Sequence, residues 1–208
     1  MLTPLEAHGL LATYGPATEL WPLHCRLVGR IARRVAEALI ERKTDSISTL
    51  EVNPDTLEVM GLLHDIGRSK SNGPMHGWSG FVLLRSLGYA NEGRGCLTHW
   101  FKGREQAEMA ATGKFSDDFL NGVFGNLEPR EWLLTDSILS FADSCVMHNQ
   151  IVSLKTRHQD LRDRYGASTW MARTEELANQ HADSISAQLG FTVHDLVAPL
   201  YGEILEHD

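Results

Sequence analysis

Leu23, Leu27, Val28, Ile31, Val35 and Leu39 recur at the three- and four-residue spacing of a single helix face, and His24 sits in that face one turn before Val28. The pattern predicts a helix over about residues 21–42, buried along one side. The rest of the chain carries the same kind of signal. Thr3, Pro4 and Glu6 supply a cap, a first-turn proline and a capping-box acid for a helix that ends at Gly15. Asn53 and Pro54 open another that ends near Gly67, and helices are expected over 75–87, closed by Gly88, and 91–101. PREWLLTDSILSFADSCVMHN reads as a helix with Pro129 at its start and Leu133, Asp136, Leu139, Asp143 and Met147 along one side. Two more, at about 168–188 and 193–206, finish the chain, the last capped by Thr192. Gly103, Gly113, Gly122 and Gly125 interrupt 102–128, which reads as a partly ordered insertion with one short helix. No stretch alternates convincingly with the period of a strand. The expected fold is all-α, an irregular helical bundle.

At 208 residues the chain is expected to form a single domain over 1–208. With 42% hydrophobic and 22% charged residues, its composition is that of a soluble globular protein. There is no apolar run of bilayer length and no basic-then-apolar start, so no membrane partner and a cytoplasmic location are expected. A formal charge of −8 and a pI near 5.7 argue against an extended nucleic-acid-binding face. Cys25, Cys96 and Cys145 lack CxxC spacing and read as buried free thiols. A homo-oligomer is compatible with the sequence.

Polar residues stand where a helical core normally keeps leucine or isoleucine. His24 lies on one apolar face, His64 and Asp65 end the next helix, and His76 begins another. His99 occupies the helix after that, and Asp143 sits inside the apolar SILSFADSCVM. Burying such groups is costly unless they are paired or coordinate something. Imidazole and carboxylate from facing helices are usual ligands for Zn, Mn and Fe(II). His64 and Asp65, as neighbours, diverge by about 100° on a helix, so they do not form the i, i+4 pair of a zinc helix. They can flank one site if the helix end points into it.

His24, then HD at 64–65, then Asp143 after Ala142 resembles the pattern of the HD-domain metal-dependent phosphohydrolase superfamily. GLLHDIGRSKSNGPMHGWSGFVLLRSLGY is similar to its HDIG-type branch, and His76 and His99 resemble that branch's two additional ligands. The resemblance covers about residues 20–165, an HD-type metal-binding core, and leaves 168–208 as a C-terminal helical extension. It implies one or two divalent transition-metal ions such as Fe, Mn or Zn. His24, His64, Asp65 and Asp143 would hold one ion, and His76 and His99 a second, with Asp65 bridging. The implied reaction is hydrolysis of a phosphomonoester or phosphodiester of a small phosphorylated metabolite or nucleotide through a metal-bound hydroxide. WFKGRE after His99 lacks the GYP signature of cyclic-dinucleotide hydrolases, which disfavours that substrate.

Arg68, directly after the HDIG turn, is a candidate to fork onto phosphate oxygens, with a salt bridge to Asp65 as the plainer alternative. Lys70, Lys102 and Arg104 are weaker candidates that also read as solvated charges, and of these Lys102 is taken as a second substrate-binding residue. KTRHQDLRDR at 155–164 reads as a charged helix face from which Arg157 could reach the pocket. Asp136, one heptad before Asp143, is a candidate to orient a histidine from behind. His194 and Asp195 repeat the HD dipeptide but stand at a helix start, where Asp195 suits the dipole. Two other functions fit the same residues: a mixed-valent diiron oxygenase of the same fold, and a non-catalytic module binding metal or nucleotide.

Overall fold

The structure, a computed structural model, describes residues 1–42 and 52–207. Among these, helices dominate and the only sheet is a two-stranded hairpin. In order, α1 spans Pro4–Tyr14, α2 Trp21–Glu41, α3 Pro54–Leu63, α4 His76–Ser86 and α5 Arg94–Phe101. They are followed by α6 Gln106–Ala110, α7 Asp117–Gly125 and α8 Leu134–Ser144, then β1 Val146–Met147 and β2 Gln150–Ile151. The chain ends with α9 Leu154–Tyr165, α10 Thr169–Leu189 and α11 Val193–Val197. The fold is all-α. Among the described residues no helix is long and apolar enough to cross a membrane.

The caps act as read. Thr3 and Glu6 close a reciprocal capping box over α1, and the Asn53 side chain accepts from the Thr56 N–H over α3. Helix α2 is the spine. Leu27, Val28, Ile31, Val35 and Leu39 are sealed from solvent in a core shared with α8, α10 and α11. Its other side faces α3. There a Cβ on Gly61 would lie 2.4 Å from the Gly29 Cα, so these two helices touch backbone to backbone only because both positions are glycine. A second core joins α1, α4 and α5 to the far side of α3, through Leu11, Leu62, Leu63, Phe81, Leu84 and Leu97. The three cysteines are buried and unpaired.

Several boundaries depart from expectation, each for a local reason. The α-helix of α3 stops at Leu63, and Ile66–Ser69 continue as a tighter 3₁₀ turn. Residues 102–128 are ordered and hold two short helices. Glu105 with Glu108, and Ser116 with Phe119 N, cap them, while Met109, Leu120 and Val123 anchor them in the second core. Residues 128–133 are not helical. The Arg94 guanidinium donates to the carbonyls of Pro129 and Glu131 and holds that segment open, and α8 begins only at Leu134. Met147 and His148 are not helical either: His148 has φ 56°, and the chain turns back there as a hairpin. Helix α11 ends at Val197 and gives way to a 3₁₀ turn containing Pro199, which has no N–H to extend the α-helical ladder. The tail then pairs with the hairpin, Leu205 N donating to Asn149 O at 3.0 Å.

Candidate metal centre

Five elements deliver their polar residues to one place. His24 comes from the first turns of α2, His64 and Asp65 from the end of α3, His76 from the first residue of α4, His99 from α5 and Asp143 from α8. Gly67 sets the approach of α4. A Cβ there would lie 1.9 Å from the His76 carbonyl oxygen and 2.4 Å from Gly80 N, so the HDIG glycine lets the start of α4 close against the turn that carries Asp65.

The imidazole rings pack on one another, with centroids 5.3 Å apart for His24–His64, 4.7 Å for His64–His99 and 5.2 Å for His76–His99. Asp65 stands between two sets. Its Oδ1 lies 3.2 Å from His76 Nε2 and 3.3 Å from His99 Nε2, while its Oδ2 faces His64 Nε2 at 3.8 Å. Asp143 Oδ1 lies 3.0 Å from His24 Nε2 and 3.8 Å from His64 Nε2. Ligand atoms of His24, His64 and Asp65 all fall within 4.8 Å of one another, and so do those of Asp65, His76 and His99.

The tautomers sharpen this. His64 Nδ1 is 2.7 Å from Gly61 O, His76 Nδ1 is 3.0 Å from Gly73 O, and His99 Nδ1 is 3.0 Å from Gly95 O. A carbonyl only accepts, so in each neutral ring Nδ1 carries the proton and Nε2 presents a lone pair. His76 Nε2 and His99 Nε2 nevertheless meet at 3.1 Å, and His64 Nε2 and Asp65 Oδ1 are buried with no hydrogen-bond partner among the described residues. Lone pairs brought together in a dry site repel unless a cation lies among them. The donor set therefore fits a divalent transition metal, and the carbonyl-bound Nδ1–H groups are the outer contacts that fix a ligating histidine's orientation.

Electrostatics agree. Burial pushes His64 down to about 3, aided by the other imidazoles and opposed by Asp65 and Asp143, and burial lowers His99 as well. Both rings are neutral at pH 7, the form that binds metal. Burial works to raise the Asp65 carboxyl, but the carboxyl is held well below the usual carboxylate range, with the paired Arg68 guanidinium favouring the ionised form. The same contest at Asp143 is won by Lys102, His24 and His64.

Arg68 and Lys102 both reach the site while paired to its acids. The Arg68 Nε–H donates to Asp65 Oδ2, and the Lys102 ammonium donates to Asp143 Oδ2. Lys102 holds the left-handed conformation at φ 54°, unusual for a residue with a Cβ, and His181 Nε2 sits 3.2 Å from its carbonyl. Asp136 does not reach a histidine. It is fully buried, forms a two-pronged pair with Arg94 at 2.9 and 2.6 Å, and accepts from Leu133 N at the head of α8. His194 packs edge-on against Phe141, away from the cluster.

Above the cluster opens a cleft of ≈ 410 Å³. Its floor includes His24, Asp65, His76, His99 and Asp143, and its walls carry Arg68, Lys102, Arg104, Arg157 and Arg164 with Trp21, Trp100, Tyr165 and Trp170. Sequence reasoning did not single out Arg164, Tyr165, Trp170 or His148. Only the basic run at 155–164 hinted at the first. Arg104, read as a solvated charge, is 3% exposed; it lies 3.7 Å from the Trp170 ring centroid and donates to Trp170 O and the Thr174 hydroxyl. Lys70 is exposed and lies outside the cleft wall.

Against known proteins, the family model described as HD domain matches residues 23–164. An uncharacterised protein of Methanocaldococcus jannaschii is 38% identical over 66 residues, which cover 32% of this chain and 36% of that protein. The matched stretch thus spans about a third of that relative's length. No solved structure matches.

Proposed function

The chain belongs to the HD domain family, and from that premise we propose that it is a metal-dependent phosphohydrolase acting on a phosphomonoester or phosphodiester of a small phosphorylated metabolite or nucleotide. His24, His64, Asp65 and Asp143 would hold one ion, and Asp65, His76 and His99 a second, the arrangement of the HDIG-type branch. A divalent ion held there would supply a water-derived nucleophile at neutral pH and would neutralise charge on the phosphoryl oxygens. The protein's own part is to keep both carboxylates ionised in a buried site, to hold three rings in the ligating tautomer, and to draw an anion in. Arg68 and Lys102 each occupy one carboxylate oxygen and so leave the other directed at the imidazoles. Both side chains also line the cleft, where a phosphate can accept from their N–H groups.

The observation that carries the reading is the meeting of unprotonated Nε2 atoms and an ionised Asp65 beneath a wall of cationic side chains. The test is to load the protein with Mn²⁺ or, without oxygen, Fe²⁺, measure bound metal, and assay phosphate release from p-nitrophenyl phosphate, its diester and a nucleotide panel. Metal-dependent release that Asp65→Ala abolishes is expected. A folded, fully loaded protein that releases no phosphate from any of them overturns the proposal, and iron-specific oxygen consumption would move the chain to the oxygenase class.

A further inference from the structure

The wall of the cleft formed by α9 has more cationic charge than its own acid matches. Residues 157, 160 and 164 are spaced three and four apart and so share one stripe of that helix. Arg157 Nη1 lies 3.1 Å from Asp160 Oδ2, and Arg164 Nη2 lies 2.6 Å from the same oxygen. One carboxylate thus serves two guanidiniums, and a positive charge is left over on a surface that lines the cleft. The surplus is not simply solvated. The Arg157 side chain is only 19% exposed. Burial lowers its guanidinium below the ordinary value, Arg164 and Asp143 act on it in opposite senses, and Asp143 is itself part of the floor.

The other wall cations are committed elsewhere. Arg68 and Lys102 pair with Asp65 and Asp143, and Arg104 braces Trp170 and Thr174. A cation held partly out of water with half a counter-charge is costly unless something anionic completes it. Guanidiniums that present forked N–H pairs match phosphate oxygens. The cleft also has the volume of a small-molecule site rather than of a niche for a lone ion.

We propose that the substrate carries a second phosphate besides the one at the imidazole cluster, and that Arg157 and Arg164 bind it. The substrate class is therefore a bisphosphorylated small molecule or a nucleotide with a separate phosphate. This rests on the phosphohydrolase reading for the first phosphate. Arg157 and Arg164 are specificity-determining residues on this account, since they touch the part of the substrate that does not react.

The experiment compares two inert probes by calorimetry on the intact, Mn²⁺-loaded protein: propylphosphonate and propane-1,3-diphosphonate, which differ only in the second anion. All titrations use the same excess of Mn²⁺, so chelation by free probe is common to wild type and variants. The wild type is expected to bind the diphosphonate at least about tenfold tighter, the worth of one charge-assisted contact. Arg157→Gln with Arg164→Gln is expected to remove the preference, read as the ratio of the two probes' affinities within each protein. Arg157→Lys, which keeps the charge, keeps most of the preference and guards against a folding defect. Equal affinities in the wild type, or a preference that survives the double variant, overturn the proposal. Absence of phosphate release from every ester, with the binding preference intact, would instead sink the phosphohydrolase reading and leave the second anion site standing.

Discussion

His76 and His99 face each other nitrogen to nitrogen, Nε2 to Nε2 at 3.1 Å, and each has its Nδ1–H tied to a backbone carbonyl. Neither ring can turn to donate to the other without abandoning that carbonyl. The pair is poised for a cation, and binding one should convert a repulsive contact into a stabilising one. Addition of Mn²⁺ or Zn²⁺ to chelator-treated protein is expected to raise the melting temperature, by an amount equivalent to about 2.7 kcal/mol at a hundredfold excess over the dissociation constant. His99→Ala should bind less metal per chain, measured by elemental analysis, and lose most of the rise.

Gly67 offers a separate handle on the same geometry. A methyl group there collides with the His76 carbonyl and with Gly80 N. Both are backbone atoms and cannot swing aside. Gly67→Ala should cost about 1–3 kcal/mol through overpacking. Because the displaced element begins with His76, metal affinity should fall together with stability. Denaturant unfolding and a metal titration on the same sample check both effects.

Asp136 supplies the control. It is buried and paired with Arg94, so Asp136→Ala strands a guanidinium that is itself mostly enclosed. The expected loss is about 3–5 kcal/mol. Bound metal at a temperature where the variant is still folded should match the wild type, since Asp136 touches none of the imidazoles. A fall in metal content there would return Asp136 to the role of orienting a ligand.

Acid should destabilise the protein partly through a histidine outside the centre. His158 is buried with neither ring nitrogen partnered among the described residues, and burial, helped by Lys102, pushes it down to about 4. Above the ordinary value of about 6.5, folded and unfolded chains both carry it neutral and it makes no contribution. As the pH falls below that, the unfolded chain takes a proton that the folded chain refuses until about 4. Stability therefore drops across this window, by an amount on the order of 2–3 kcal/mol. His158→Leu should flatten that part of the stability–pH curve and, by removing unpartnered polar atoms, raise stability at pH 7. Urea midpoints between pH 4 and 7 test it; an unchanged slope would rule it out.

Much of the architecture was readable because helical caps and apolar periodicity are local. Thr3, Asn53, Thr192 and the face of α2 needed no tertiary information. His24 and Asp143 stand in phase with buried apolar residues of their helices, whereas the grouping of His64, Asp65, His76 and His99 with them as one set came from the resemblance to the HD pattern rather than from periodicity. The misreadings come from contacts between distant segments. Arg94 holds residues 128–133 off the helix, and the tail from Gly202 to Leu205 hydrogen-bonds to a hairpin where periodicity alone continued α8. The α9–α10 wall was largely hidden because a stripe of arginines on a polar helix looks the same whether it faces water or a cleft.

That wall and the floor beneath it come from different stretches of chain. The floor is assembled from α2 to α5 and α8, whereas Arg157, Arg164, Tyr165 and Trp170 lie on α9, at its end and on α10. Substitutions in the later helices would thus reshape the cleft wall while the imidazole and carboxylate cluster below stays intact. In a scaffold partitioned in this way, changing a few arginines of the wall would alter selectivity without rebuilding the residues of the floor.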